Sequence, residues 1–519
     1  MSGSVPASRP QSEKNASRHV HPNGFRIALI LGLALAGSPW QAAPESIAAP
    51  TRVYMARDLE PLFRAPLAEF SRRRPERTVE IVARPGSAMR KELAAGRSTG
   101  ILIASGATEL VSLDQAGRLA PGSAIRLADV PLGVFVRAAS AVKNLSDLKA
   151  LAGPGFARVG IAARASGAIG AESEQALHKA GIWEAVRPKL VVLPPEDLIA
   201  AAARGDVDAS VAALNQAEAA VRAALIIPDR LHDPLTMTAV LLRDTPADAG
   251  TRAVTDFLRS PEIRDVLLKA GGRLPAPDRP AAGELFFYCG AGLREAADDL
   301  IAEFGKATGI RVRPTYTGSG CLLAQITISE SGDLYMPGEQ FYMDQAVGRG
   351  FIREREVVTY FIPVIMVGKG NPRHIHGLTD LFRPGLRLGI GEKDSTAIGA
   401  FTPKLLAAEK LSYEALLKNV VASFATAPEM GNAVKLGAVD AAIQWDAVAS
   451  WYLDGADVVA FPTDPATISP VPLGVLKFSR DPAAARSFLK FALSPVGRAI
   501  FEKHGHSIDP SRPTFRPKS

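Results

Sequence analysis

Three short segments in the second half of the chain combine glycine or alanine with hydroxyl side chains: CGAGL at 289–293, TGSGCL at 317–322 and DSTAIGA at 394–400. None carries bulk, and each can present backbone N–H groups. Where such a segment leads from a strand into a helix, the first helical turn leaves N–H donors unpaired and carries partial positive charge. Several such turns converging on one cavity bind an anion without any lysine or arginine. Ser319, flanked by Gly318 and Gly320, is the side chain best suited to be a direct ligand, and Ala291, Gly292, Gly320, Thr396 and Gly399 are candidates beside it. One Gly/Ser turn alone is ordinarily a helix cap. Recurrence at three junctions is what points to a site.

The elements that must position these turns can be read around them. An apolar run at 285–289 predicts a strand, and 294–308 places Ala297, Leu300, Ile301 and Phe304 at helical spacing. A second strand follows at 310–316, and another helix begins over 321–328 after the glycine turn. This order predicts an α/β fold with mostly parallel, doubly wound sheets, whose ligands lie at the carboxyl ends of the strands.

The chain also repeats itself. VYMARDLEPLFRAPLAEF near residue 54 matches FYCGAGLREAADDLIAEF near residue 288, with Leu59 facing Leu293 and Phe70 facing Phe304, both offset by 234. VGIAARASGAIGA (159–171) faces LGIGEKDSTAIGA (388–400), and GDVDASV at Gly205 faces GAVDAAI at Gly437. Further on, Ser260 faces Ser494. Four blocks in one order place a first copy at 50–275 and a second at 284–510, with a Pro/Ala-rich linker at 276–283 and a tail at 511–519. In the first copy Ser87 stands opposite Ser319, Asp58 opposite Gly292 and Ala213 opposite Trp445. A carboxylate about 4 Å from a dianion costs several kcal/mol. That copy is therefore expected to be a degenerate or differently tuned binder, or a structural lobe.

A length of 519 residues suits two to four domains, and 47% hydrophobic with 22% charged residues is a globular composition. The net charge is +7, but the basic residues are scattered without a dense block, which argues against nucleic acid. Basic residues precede the apolar run IALILGLALAG (27–37), so 1–49 reads as a signal peptide or leader directing the protein to the periplasm or outside.

The second copy resembles the substrate-binding proteins of molybdate ABC importers. The resemblance runs through YCGAGL, YTGSGCLLAQI, GDLYMPGEQFYMDQAVGRGFI (332–352), IPVIMVGKGNP (362–372), LTDLFRPGLRLGIGEKDSTAIGAF, GAVDAAIQWDAV and SPVGRAIFEKHG. It implies two tandem type II periplasmic-binding domains, each of two α/β lobes joined by crossover strands and closing about a hinge. It also implies an exported, non-enzymatic protein without a cofactor, which captures a tetrahedral oxyanion, molybdate or tungstate, for a permease in the inner membrane. Carried onto this sequence, it makes Ser319 a ligating serine, Ile398 a backbone donor and Ala427 a neighbour of another. Two positions depart from the pattern: Gly292 replaces a serine, and Trp445 replaces a tyrosine. Alternative readings are a ligand-sensing periplasmic adaptor, and a thiol enzyme using Cys289.

Cys289 and Cys321 are the only cysteines, and they can bridge in an oxidising compartment or stay as two small buried thiols. Three HxH pairs, His19/His21, His374/His376 and His504/His506, lack a nearby cysteine or carboxylate partner, so no metal site is expected.

Overall fold

The computed structural model of the protein describes residues 49–275 and 283–509, apart from 107, 217–218, 233–234 and 462–466. The expected leader with His19 and His21, the linker and the tail fall almost wholly outside the described residues.

Four five-stranded sheets form the framework, two in each repeat. In the second repeat, the first lobe orders Arg311–Thr317, Glu284–Gly290, Leu334–Met336, Ser469–Leu476 and Ile352–Phe361. Its second lobe orders Val420–Phe424, Leu388–Gly391, Ala441–Trp445, Pro363–Gly368 and Ala456–Val459. The first repeat has the same order: Val79–Arg84, Thr51–Ala56, Ile101–Ser105, Leu235–Leu241 and Ile125–Val130 in one lobe. Its other lobe orders Leu190–Leu193, Val159–Ala162, Ala209–Ala213, Leu132–Arg137 and Val221–Ile226. The fold is thus α/β, two tandem type II periplasmic-binding modules of two lobes each.

The sheets are mixed, not mostly parallel. In each, the first three strands are parallel and the fourth runs antiparallel to both neighbours. The fourth strand is the one that enters from the other lobe, so its direction follows from the crossover and not from a βαβ unit.

Local sequence accounts for the elements around the turns. The expected helix is Arg294–Thr308, closed by Gly309 in the left-handed region at φ +74°. The next begins at Ser319 and runs to Ser329. Its sequence is apolar all round because both sides are covered. Leu322, Leu323 and Ile326 pack on Tyr288 and Tyr335 of the same lobe, while Cys321, Ala324 and Ile328 pack on Leu93, Leu110 and Val111 of the first repeat.

That second contact continues in polar bonds. Gly122 and Ala124 N–H groups donate to the Thr327 and Ile328 carbonyls at 3.0 and 2.9 Å, and Arg349 pairs with Asp114 at 2.8 Å. In the second lobes, Asn432 donates to the His178 carbonyl at 3.2 Å, and Gln175 donates to Glu429. Each lobe of one repeat therefore rests on the matching lobe of the other. Among the described residues no helix is long and apolar enough to cross a membrane.

Candidate functional site

The three turns meet. Gly290, Ala291 and Gly292, then Thr317, Gly318 and Ser319, then Thr396, Ala397 and Ile398 line one small cavity between the lobes of the second repeat. Thr426 and Ala427, Gly338, Phe361 and Trp445 complete its wall, so no charged side chain faces it. Three helices start there, Ser319–Ser329, Ala397–Ala408 and Ala427–Lys435, together with the 3₁₀ turn Ala291–Leu293 that precedes Arg294–Thr308.

Capping decides which donors remain for a ligand. Thr396 Oγ1 accepts the Gly399 N–H at 2.9 Å, and Thr426 Oγ1 accepts the Glu429 N–H at 3.4 Å. The earlier amides of those first turns, on Ala397, Ile398 and Ala427, have no partner within their helices. Ser319 is 2% exposed, and its Oγ accepts the Gly338 N–H at 3.0 Å. The hydroxyl proton is thereby left to donate into the cavity.

Seven of the nine candidate residues lie on the cavity wall: Ala291, Gly292, Ser319, Thr396, Ile398, Ala427 and Trp445. Gly320 and Gly399 do not. Gly399 gives its amide to the cap, and Gly320 donates across the cleft to the Ser395 carbonyl at 2.9 Å. The Thr396 hydroxyl, besides accepting from Gly399, donates to the Glu392 carbonyl at 3.0 Å, so it builds the turn instead of facing a ligand. The cleft is closed, with Tyr342 of the first lobe donating to the Asp394 carbonyl of the second at 3.0 Å.

Gly290, Thr317, Gly318, Gly338, Phe361, Ala397 and Thr426 also belong to the wall but are absent from those nine candidates. Phe361 stacks on Trp445, itself 1% exposed, at 5.1 Å and 8°. The departure at Gly292 has a packing cause: a methyl there would lie 2.9 Å from Val448 Cγ2.

Behind Trp445, the fully buried Asp446 accepts the Ile362 N–H at 3.1 Å, and burial pushes its carboxyl up to about 7. Between about pH 4 and pH 7 the folded chain keeps a proton that the unfolded chain releases, so stability is lost as pH rises through that window. Asp446→Asn keeps an acceptor and removes the titration. In urea unfolding the variant is expected to lose less stability than the parent between about pH 5 and pH 8. Equal losses would mean that Asp446 is ionised in the folded protein.

The two cysteines are buried, are not bridged to each other and belong to different cores, which is the second of the two arrangements open from the sequence. Cys289 faces the interior of its own module, whereas Cys321 lies on the helix side turned to the first repeat. Burial raises the Cys289 thiol well above its ordinary range, which disfavours the thiolate that a nucleophile needs. His374 and His376 are exposed, while His504 bonds Asp299 at 2.8 Å and His506 packs against Phe361 and Phe501.

The first repeat's cleft differs. Ala56 pairs with Arg84 as Gly290 pairs with Thr317, so the register sets Gly86 where Ser319 stands and moves Ser87 opposite Gly320. No side-chain hydroxyl stands at that place in the first repeat. Asp58, in the place of Gly292, has its carboxyl pushed up to about 7 by burial and by the nearby Glu109 and Glu196.

Residues 51–273 and 285–507 each match a family model described as bacterial extracellular solute-binding protein. A putative binding protein of Haemophilus influenzae Rd is 28% identical over 225 residues, covering 43% of this chain and 91% of that protein. The molybdate-binding protein ModA of Mycobacterium bovis is 26% identical over 247 residues, covering 46% and 92% respectively. The protein of the same name in Escherichia coli K12 is 27% identical over 240 residues, covering 44% and 90%. Each of these relatives has the length of one repeat.

Proposed function

Since the chain belongs to the bacterial extracellular solute-binding protein family, we propose that its second repeat captures a tetrahedral oxyanion, molybdate or tungstate, and delivers it to an ABC permease in the inner membrane. Export to the periplasm belongs to the same reading. The observation that carries it is the convergence of several helix starts and the Ser319 hydroxyl on a cavity without charged side chains.

Size and donor chemistry agree with that solute class. About 20 Å³ of the cavity is open to the centre of a water-sized sphere. A sphere of that volume, widened by a water radius of ~1.4 Å, has a radius of about 3 Å, the size of a tetrahedral oxyanion. The amides left unpaired at the helix starts are donors, and a site dominated by donors favours a fully ionised anion over one such as hydrogen phosphate, whose own O–H needs an acceptor. The molybdate-binding names of two relatives point the same way.

Calorimetric titration of the full chain with molybdate, tungstate, sulfate and phosphate tests the reading. Molybdate or tungstate should bind tightest and phosphate weakest. Absence of heat and of any rise in melting temperature with all four would overturn it. Ser319→Ala is expected to weaken binding by roughly 1–3 kcal/mol through loss of the donor. Unchanged affinity would place the ligand on other groups.

A further inference from the structure

We propose that the first repeat carries its own ligand: the Glu109 carboxylate fills the anion seat between that repeat's lobes and ties them shut. Tyr54 pairs with Leu102 as Tyr288 pairs with Tyr335, so the register sets Ser105 where Gly338 stands. In the second repeat the Gly338 N–H points to the cavity and meets Ser319 Oγ. In the first, the Ser105 N–H donates to Glu109 Oε2 at 2.8 Å.

Glu109 Oε1 also reaches the other lobe beside Gly167, next to Ala168, the first residue of the helix Ala168–Lys179 and the counterpart of Ala397. One carboxylate, on a residue only 6% exposed, is thus bonded to one lobe and in contact with the other, as a bound anion would be. The fit is close. A methyl at Gly167 would lie 3.1 Å from Glu109 Oε1, and one at Gly106 would lie 2.9 Å from Ala168 Cβ. Burial pushes the carboxyl up, while the Ser105 and Ala168 amides and the positive Arg90 favour its charged form. With Gly86 in the place of the serine, no side-chain hydroxyl stands at that place of the seat.

The tie has a consequence for the whole chain. Glu109 lies on the helix Thr108–Gln115, which packs on Ser319–Ser329, and its carboxyl meets the start of the helix Ala168–Lys179, which packs on Ala427–Lys435. The two helices joined by Glu109 each carry one lobe of the second repeat, so a shut first repeat holds the second near closure.

The test uses the full chain and formate as a small carboxylate probe. Glu109→Ala should melt below the parent, and formate should restore at least half of that loss while shifting the parent no more than chloride does. Formate acting equally on both proteins, or leaving the variant unrescued, overturns the proposal. Hydrogen exchange on the unsubstituted protein decides the matter even if the variant does not fold. The Ser105 and Ala168 amides should exchange about 100-fold or more slowly than exposed loop amides without any added anion. Exchange at loop rates would also overturn it. Neither readout involves oxyanion capture by the second repeat, so this inference and the proposed function fail separately.

Discussion

Gly320→Ala is expected to weaken oxyanion binding about a hundredfold or more. A methyl at this position would lie 2.0 Å from the Asp394 carbonyl oxygen and 3.1 Å from Ser395 Cα, both on the opposite lobe. Both sides of the clash are backbone, so no side chain can rotate away, and relief comes only from parting the lobes. Parting them also breaks the bond from the Gly320 N–H to the Ser395 carbonyl and pulls the Ala397 and Ile398 amides away from Ser319. The cost falls on the closed form alone, so it appears in affinity more than in the stability of either lobe. Gly348→Ala, with nothing within 4 Å of the added carbon, is the control and should bind as the parent does. Titration of both variants decides. Parental affinity in Gly320→Ala would mean that the ligand is not held in this closed geometry.

The turns were legible in the sequence because their function depends on what they lack. A Gly/Ala/Ser segment between strand and helix has few uses besides capping and anion contact, and Ser319 and Ile398 do reach one cavity. Phe361 could not be found that way. An aromatic residue at the end of a strand reads as core, and here it is core that also walls the cavity. Thr396 shows the opposite error. Its hydroxyl suggests a ligand, but the donor and acceptor that it commits to Glu392 and Gly399 depend on the turn's backbone, which composition does not specify.

The choice between bridged and buried cysteines stayed open in the sequence for a related reason. Adjacent strand mouths bring Cys289 and the start of the helix Ser319–Ser329 near each other, but a helix residue's direction depends on its rotation. Cys321 turns toward Leu110 and Val111 of the other repeat. The all-round apolar sequence of that helix was the available signal for the contact, since a helix covered on one side only needs just one apolar stripe. The duplication was visible, whereas the docking of its two copies depends on side chains scattered over both halves.

Arg164→Met should lower stability by about 3 kcal/mol near neutral pH and also reduce oxyanion affinity. Arg164, in the first repeat and 13% exposed in its side chain, faces Glu392 at 3.2 Å, Glu429 at 3.4 Å and Glu174 at 4.0 Å. Glu392 and Glu429 belong to the second repeat and build its site. Glu392 accepts the Ser395 hydroxyl at 3.1 Å, and Glu429 accepts the Ala425 N–H at 3.2 Å. Without the guanidinium, three carboxylates face one another beside the turns that must attract an anion, so both the fold and the site lose electrostatic support. His178 does not replace the lost charge, because burial pushes its imidazole down to about 4. Glu174 is already raised by burial, and removing Arg164, which holds it down, raises it further above its unfolded value. At Glu174 the folded variant then binds more protons than the unfolded chain, and its stability is lost as pH rises through the raised value. Its deficit against the parent should therefore shrink as pH falls from about 8 to about 5, and shrink also with salt. Urea unfolding across that range tests the point. A deficit independent of both pH and salt would show that Arg164 acts by packing and not by its charge.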